Sequence, residues 1–302
     1  MTGAHGLEAV RRWWFPPVAV ARLAWLRTFL YLFVILDIHL FVDDVLPKGH
    51  TPELYHPLLV GRVVHLPPPS VPLTWALWAV IVVGSLVLAA GRLPLTVGYL
   101  VAAAFTWWMV IGMSFGKVDH DHLALVLAVW VMPSAHRARW TDEGASEQVG
   151  WTVRWIQIAT VATYSLSWLT KTANSSWTAA WPQGHVLAWA VIRRANTVNA
   201  QLLEHPWMLR PMQWVVYCAE FLSPMVLFLR RRALLAAALF WMGFHVMTFV
   251  LLGIHFLPTV VCWLSFAPLE RLTPLLRRLS GQSVRDQPRS LLDSPMHEVV
   301  DQ

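Results

Sequence analysis

Apolar runs of about 20 residues recur along almost the whole chain, and they limit its fold more than any other feature of the sequence. A helix of that length is what crosses the roughly 30 Å hydrocarbon core of a bilayer. The composition agrees, because 57% of the residues are hydrophobic, only 13% are charged and the mean hydropathy is +0.51. Soluble domains carry about 25% charged residues. We therefore predict an all-α, polytopic transmembrane helix bundle.

We predict eight membrane spans, although the purely apolar part of the fourth, about 11 residues before Pro133, cannot cross alone. The predicted spans cover residues 22–42, 72–91, 94–114, 118–133, 151–170, 211–229, 233–252 and 256–269. Residues 1–17 resemble an amphipathic helix at the membrane surface, and the apolar stretch at 185–192 is too short to cross. Residues 1–270 thus form one transmembrane domain, followed by a polar, largely disordered cytoplasmic tail at 271–302.

The distribution of arginine predicts the orientation of the bundle. Cytoplasmic loops of membrane proteins carry an excess of Lys and Arg, and the three arginines at 230–232 are the strongest such signal. An arrangement of eight spans with both termini in the cytoplasm puts these three arginines on the cytoplasmic side of the membrane. The net charge of +6 therefore reflects orientation, and the expected partners are membrane lipids and not nucleic acid. Twenty arginines against three lysines indicate a high-GC bacterial genome, and hence a multi-pass protein of the bacterial plasma membrane.

Ionisable residues inside the apolar runs need a physical reason, because each costs about 2.5–3.5 kcal/mol at the bilayer centre. Asp37 lies late in the first predicted span, and His122 lies at the start of the short fourth one. Glu220 lies in the sixth span and His245 in the middle of the seventh. Residues of this kind face the bundle interior and commonly mark functional sites.

The fifth predicted span carries a polar and aromatic stripe. Its members are separated by three, seven, four and three residues and are Arg154, Gln157, Tyr164, Trp168 and Lys171. These spacings put all of them on one helical face, which lipid would reject. We expect the stripe to face the bundle, with Lys171 at the outer end of an internal cavity whose aromatic wall includes Trp177.

Structural roles also account for these residues. A lysine such as Lys171 at a span end commonly extends to the lipid headgroups, and tryptophans commonly form an interfacial belt. Asp37 and Glu220 are equally suited to hydrogen bonds between helices, and His120 and His122 to the membrane interface. A His-x-His pair on a helix points its rings apart, so no metal site is expected.

Five segments of the chain form a family pattern. They are LDIHLF at 36–41, DHLALVLAVWVMP at 121–133, YSLSWLTKTANSSW at 164–177, EFLSP at 220–224 and FHVMTFVLLGIHFLP at 244–258. Together, and in this order, they resemble the membrane domain of vitamin K-dependent γ-glutamyl carboxylase and its bacterial relatives, the horizontally transferred transmembrane domain (HTTM) proteins. Two features depart from the pattern. Thr172 stands where the family usually has Leu, and the large soluble C-terminal region of the eukaryotic carboxylase has no counterpart in these 302 residues.

The resemblance implies a lyase that couples oxygenation of a reduced quinone to carboxylation at the extracytoplasmic face. Lys171 matches the family lysine that acts as a base towards the quinone. His122 and His245 match positions near the reaction cavity, and Asp37 and Glu220 match acidic positions in their helices. The implied cofactors are a reduced quinone of the menaquinone or vitamin K type, with O₂ and CO₂, and no metal.

We therefore expect an integral membrane enzyme that acts on a lipid-soluble quinol or a secreted peptide. The expected catalytic residues are Lys171, His122 and His245, and the expected substrate-binding residues are Tyr164, Trp168, Trp177, Glu220 and Asp37. A lysine in water is protonated at pH 7, and only a dry pocket leaves it able to act as a base. Aromatic walls also suit a flat quinone ring.

Two other functions remain open on the sequence. One is a non-catalytic membrane factor for the maturation or export of a secreted peptide or lipid. The other is a transporter that uses buried ionisable residues as an ion path, although the sequence has no inverted repeat of the kind that supports such folds. Peptide carboxylation itself does not transfer safely, because the soluble region that helps to hold the peptide has no counterpart here.

Overall fold

The chain is mostly helical in the computed structural model, which describes residues 2–42, 44–91, 95–116, 118, 120–135 and 137–279. The first helices and strand are α1 (Thr2–Trp14), β1 (Val18–Ala19), α2 (Val20–Leu40), α3 (Val45–Lys48), α4 (Leu59–Val63), α5 (Val71–Ala89), α6 (Leu95–Met113) and α7 (Leu123–Val131). They are followed by β2 (Ala145–Ser146), α8 (Glu147–Asn174), α9 (His185–Arg193), α10 (Ala200–Glu204), α11 (Leu209–Leu222), α12 (Arg231–Leu252), α13 (Leu257–Cys262) and α14 (Thr273–Leu279).

Among the described residues, four helices are long and apolar enough to cross a membrane, namely α2, α5, α6 and α12. The predicted spans 22–42, 72–91, 94–114 and 233–252 coincide with these helices to within two residues at each end. The prediction of a helical chain with membrane-spanning helices is confirmed to this extent. The start of the predicted tail is helical in α14, and residues 280–302 lie outside the described part of the chain.

The other four predicted spans are also helical, but none has the length and apolarity of a crossing helix. Helix α7 has only nine residues and continues as the 3-10 turn Met132–Ala135, which contains Pro133. Helix α11 passes into the 3-10 turn Ser223–Phe228, which contains Pro224. Proline removes a backbone donor and interrupts the α-helix. Helix α13 has six residues, whereas α8 has 28 but includes several polar side chains.

A two-stranded sheet joins the segments that directly precede two long helices. Strand β1, before α2, pairs antiparallel with β2, before α8, and Val18 lies opposite Ser146. The same junction brings Gly150 of α8 against the backbone of Pro16, where a Cβ atom would collide with the Pro16 carbonyl oxygen. A glycine is therefore required at this crossing, which fixes the start of α8 against the N-terminal segment.

The main hydrophobic core lies between α2, α5, α6, α7 and the first half of α8. Its largest fully buried aromatic side chains are Trp108, Tyr31 and Phe105. A second, smaller cluster centres on Tyr164, Trp241 and Trp263, where α8 meets α12 and the segment after α13. Tyr164 of this second cluster also lines the cavity described below.

An ion pair ties the start of α2 to the C-terminal end of the described chain. The Arg22 guanidinium donates to both oxygens of Glu270, at 2.7 and 2.8 Å. Nearby, the Trp25 indole donates to the Thr273 hydroxyl at 3.2 Å. Both Arg22 and Glu270 are partly buried, so this two-point contact is less screened than a surface pair.

We predict that Glu270→Gln lowers stability in a pH-dependent manner. Hydrogen bonds from Arg22 hold the pKa of the Glu270 carboxyl below its usual range. The stabilisation is therefore complete above the unfolded-chain pKa of about 4.3 and is lost as the pH falls through the lower folded-state value. At pH 7 the substitution should cost about 1 kcal/mol, or about 2–4 °C in the unfolding temperature of the detergent-solubilised protein.

The matched control is Glu53→Gln, which alters an exposed carboxylate and should leave the unfolding temperature unchanged. At about pH 3.5 the difference between the wild type and Glu270→Gln should shrink. A deficit that is the same at both pH values would contradict the assignment of the effect to this ion pair.

Candidate active site

A cavity of about 860 Å³ lies between the C-terminal half of α8 and helices α9, α11, α12 and α13. Most of its wall is aliphatic or aromatic. The titratable side chains on the wall are His120, Tyr164, Lys171, Glu220 and His245. A largely apolar cavity of this size with a few convergent polar groups is typical of a small-molecule site.

The Lys171 amine is bound to a buried carboxylate. Its Nζ lies 2.5 and 2.6 Å from the two oxygens of Glu220, which is only 3% exposed. The Ser167 hydroxyl donates to the same carboxylate at 3.2 Å. The Trp181 ring covers the ammonium group, with Nζ 4.3 Å from the ring centroid. Lys171 and Ser167 are four residues apart on α8, so one helical face presents both groups to Glu220 on α11.

The register between α8 and α11 is fixed next to this pair. The hydroxyls of Thr172 and Tyr217 lie 2.7 Å apart, and the Trp168 ring packs against Tyr217 and Phe221. The Thr172 hydroxyl makes a contact here that a leucine side chain could not make. Trp168 therefore supports the helix pairing from outside the cavity wall.

A second polar group on the cavity wall is built around Tyr164. Its hydroxyl lies 2.8 Å from His245 Nε2 and accepts a hydrogen bond from the Trp263 indole at 2.9 Å. The Trp241 ring stacks on the Tyr164 ring with centroids 3.7 Å apart. All four side chains are buried. Trp241 and His245 are one turn apart on α12, and this i, i+4 spacing was the sequence signal that could have placed Trp241 at the site.

Asp37, Asp121 and His122 form a separate buried cluster. His122 Nε2 lies 3.0 Å from Asp37, and His122 Nδ1 lies 3.1 Å from Asp121. Since both ring nitrogens contact carboxylates, His122 has no nitrogen left for a substrate. The cluster touches the cavity wall through Thr259, whose hydroxyl donates to the Asp121 carbonyl at 2.8 Å.

The predicted site residues therefore fall into three groups. Tyr164, Lys171, Glu220 and His245 lie together on the cavity wall. Asp37 and His122 lie behind it, in the cluster with Asp121. Trp168 and Trp177 are not part of the wall, and Trp177 is 69% exposed because it follows the end of α8.

The predicted stripe on α8 divides into two parts. Tyr164 and Lys171 reach the cavity, but Arg154 and Gln157 serve the opposite end of the helix. The Arg154 guanidinium donates to the Trp13 carbonyl at 3.1 Å, and its carbon lies 4.8 Å from the Trp13 ring centroid. Gln157 donates to the Ser265 carbonyl at 3.0 Å. Arg154 thus connects α8 to α1, and Gln157 connects α8 to the segment after α13.

Within the described part of the chain, no group of three or more His, Cys, Asp or Glu side chains is placed to hold a metal ion. No protein-family model, curated protein or solved structure matches the chain. The function has therefore to be argued from the chemistry of the cavity.

We predict that Asp37→Ala destabilises the fold strongly. The substitution leaves His122 Nε2 without its buried partner while Nδ1 keeps its contact with Asp121, and breaking a buried pair by removing one member costs about 3–5 kcal/mol. Asp37→Asn keeps an oxygen that can accept from Nε2, so its loss should be smaller. Thermal unfolding followed by intrinsic tryptophan fluorescence measures both.

Asp44→Ala is the control for this comparison, because Asp44 pairs with Lys48 through a largely exposed carboxylate. We expect it to cost less than about 1 kcal/mol. Equal losses for Asp37→Ala and Asp44→Ala would show that the buried cluster contributes nothing particular to stability.

Proposed function

We propose that this protein is an integral membrane enzyme that binds a lipid-soluble quinol in the cavity and removes its hydroxyl proton with the Lys171–Glu220 pair. The observation that carries the proposal is the position of this pair, a partly buried lysine amine against a buried carboxylate on the wall of a large, mostly apolar cavity. A quinol combines an apolar body with weakly acidic hydroxyl groups, which suits both parts of the wall.

The pair can accept one proton whether the proton that the two residues share lies on Lys171 or on Glu220. If Lys171 is charged, the Glu220 carboxylate is the acceptor. If the proton has moved from Lys171 to Glu220, so that both groups are neutral, the Lys171 amine is the acceptor. A phenol-type hydroxyl ionises near pKa 10 in water, so it needs a base that sits close to it in a site with little water. The Trp181 ring limits the access of water to the ammonium group from one side.

The resemblance to the carboxylase and HTTM proteins supports a specific version of this reaction. In that version a reduced quinone supplies, when bound, the electrons with which O₂ generates a base strong enough for carboxylation with CO₂. This chain contributes the proton acceptor at Lys171 and Glu220 and a wall that accommodates a ring and an isoprenoid tail. The Asp37–His122–Asp121 cluster acts as a positioning group that holds Thr259 at the wall.

We expect Lys171→Met to lower quinol turnover by at least about 100-fold, the usual contribution of a general base. The assay is oxygen-dependent oxidation of menaquinol by the purified protein in lipid nanodiscs. Glu220→Gln should lower turnover as well, because the amide cannot carry the second charge of the pair. Unfolding temperatures of both variants show whether they are folded.

Lys48→Met is the matched control. Lys48 is also ion-paired, with its Nζ 2.7 Å from Asp44 and 2.8 Å from the Gly112 carbonyl, but it does not line the cavity. Its substitution should leave turnover within about twofold of the wild type. If Lys171→Met is folded and as active as Lys48→Met, the pair is not the base.

The proposed membrane topology has eight crossings, with both termini in the cytoplasm of a bacterium. It is supported by the coincidence of all eight predicted spans with helical segments and by the three arginines at 230–232 before α12. Residues 1–270 would form the membrane domain. The segments that contain α7, α11 and α13 would cross as interrupted helices, with irregular backbone shielded inside the protein, whereas α8 would cross as a continuous helix.

Reporter fusions test this topology. A chain fused after residue 145 should give a fluorescent cytoplasmic reporter and an inactive alkaline phosphatase, because this loop is on the inside in the proposed arrangement. A fusion after residue 195, in the outer connection, should give the opposite pair of results. Active phosphatase at residue 145 would rule out eight crossings with the termini inside.

A further inference from the structure

His245 Nδ1 is a buried polar atom without a hydrogen-bond partner among the described residues, on a ring that forms part of the cavity wall. We infer that this nitrogen carries a proton and donates it, in a hydrogen bond, to an oxygen atom of the ligand. We further infer that Trp263 and Tyr164 fix the ring in this state. The identity of the ligand as a quinol rests on the proposed function, whereas the donor role of His245 does not.

The state of the ring follows from counting donors. The Trp263 indole can only donate, so the Tyr164 oxygen accepts its hydrogen bond. Tyr164 has one hydroxyl hydrogen, and His245 Nε2 is its other hydrogen-bond partner in the described part of the chain. The hydrogen therefore points to Nε2, which must accept it. A neutral imidazole whose Nε2 accepts carries its proton on Nδ1.

The opposite arrangement leaves two groups unsatisfied. If Nε2 carried the proton and donated to Tyr164, the tyrosine hydroxyl hydrogen would have no acceptor within the described residues, and Nδ1 would be a buried acceptor without a donor. Tyr164 and His245 are 4% and 7% exposed, so water compensates little. Buried polar groups are nearly always paired, and this favours the Nδ1–H form.

The surroundings of Nδ1 suit a ligand oxygen. Phe244 and Phe256 flank the imidazole, with ring centroids 5.2 and 5.4 Å from it, and both line the cavity. Neither offers an acceptor, so a ligand has no competitor for the N–H group. Because side chains cover Nδ1, its contact with a ligand requires a small shift of these rings, as is common for side chains at binding sites.

The wall then offers two different polar contacts. The Lys171–Glu220 pair takes a proton, whereas His245 gives a hydrogen bond and accepts none from the ligand. A ligand that satisfies both has an acidic hydroxyl at one position and a carbonyl, ether or hydroxyl oxygen at another, joined by an apolar body. His245 is thus a specificity-determining residue for the second oxygen, and Tyr164 and Trp263 are positioning residues.

The first test concerns the ring alone. Nitrogen NMR of protein labelled with ¹⁵N-histidine, at about pH 8 and without ligand, should show His245 with a protonated Nδ1 and an unprotonated Nε2. The signal that disappears in His245→Asn identifies the residue. Tyr164→Phe removes the donor to Nε2, so it should shift the ring towards the Nε2–H form. A wild-type ring protonated at Nε2 and not at Nδ1 would overturn the inference.

The second test uses two substitutions that keep different halves of the ring. The amide nitrogen of His245→Asn lies near the position of Nδ1, and that of His245→Gln lies near the position of Nε2. The probes are 2-methyl-1,4-naphthoquinone and a long-chain methyl ketone, which has a carbonyl oxygen but no quinone ring. Affinity should fall at least about tenfold in His245→Gln and stay within about threefold of the wild type in His245→Asn.

The two probes separate the inference from the proposed function. If the ketone binds with this dependence on residue 245 and the naphthoquinone does not, the donor role stands and the quinol assignment fails. If both bind with this dependence, both stand. The donor role is overturned if neither probe binds the wild type, or if folded His245→Gln binds as tightly as the wild type.

Discussion

The contact between Lys171 and Glu220 constrains how α8 and α11 pack beside the cavity. The buried Glu220 carboxylate loses its hydration and the partly buried Lys171 amine loses most of its own, and only close contacts with further hydrogen bonds offset such a loss. Here both carboxylate oxygens contact the amine, Ser167 adds a third hydrogen bond and Trp181 covers the ammonium group. The geometry leaves little freedom between α8 and α11, so it fixes this part of the cavity wall.

Helix α8 relates this pair to the rest of the site. Tyr164 and Lys171 are seven residues apart, which is two turns and about 10 Å along the helix axis, on the same face. One rigid element thus sets the separation between the ion pair with α11 and the hydrogen bond with His245 of α12. The cavity lies between these two contacts, and a change in either helix alters the wall without altering α8.

The sequence predicts the long helices but not the contacts between them. Apolar runs predicted the four long helices α2, α5, α6 and α12 to within two residues at each end. The fourth predicted span, by contrast, is a nine-residue helix that continues as a 3-10 turn at Pro133. The spacing on α8 placed Tyr164 and Lys171 on one face. Glu220 is 49 residues from Lys171, and Asp37 is 85 residues from His122, so no local period links these partners. The α8 stripe divides because Arg154 contacts α1, and the spacing of residues on α8 does not predict this contact.

The cost of the buried pair also bears on the alternatives to catalysis. A factor that only holds a lipid or peptide needs no charges on the wall, and an apolar wall of the same volume is often as stable or more stable. A transporter of a charged solute needs charge that is available to the solute, whereas Lys171 and Glu220 already neutralise each other. A reaction that moves a proton is different, because it needs two groups between which charge can be redistributed. The proposed quinol chemistry therefore gives a functional reason for placing this ion pair on an otherwise apolar wall.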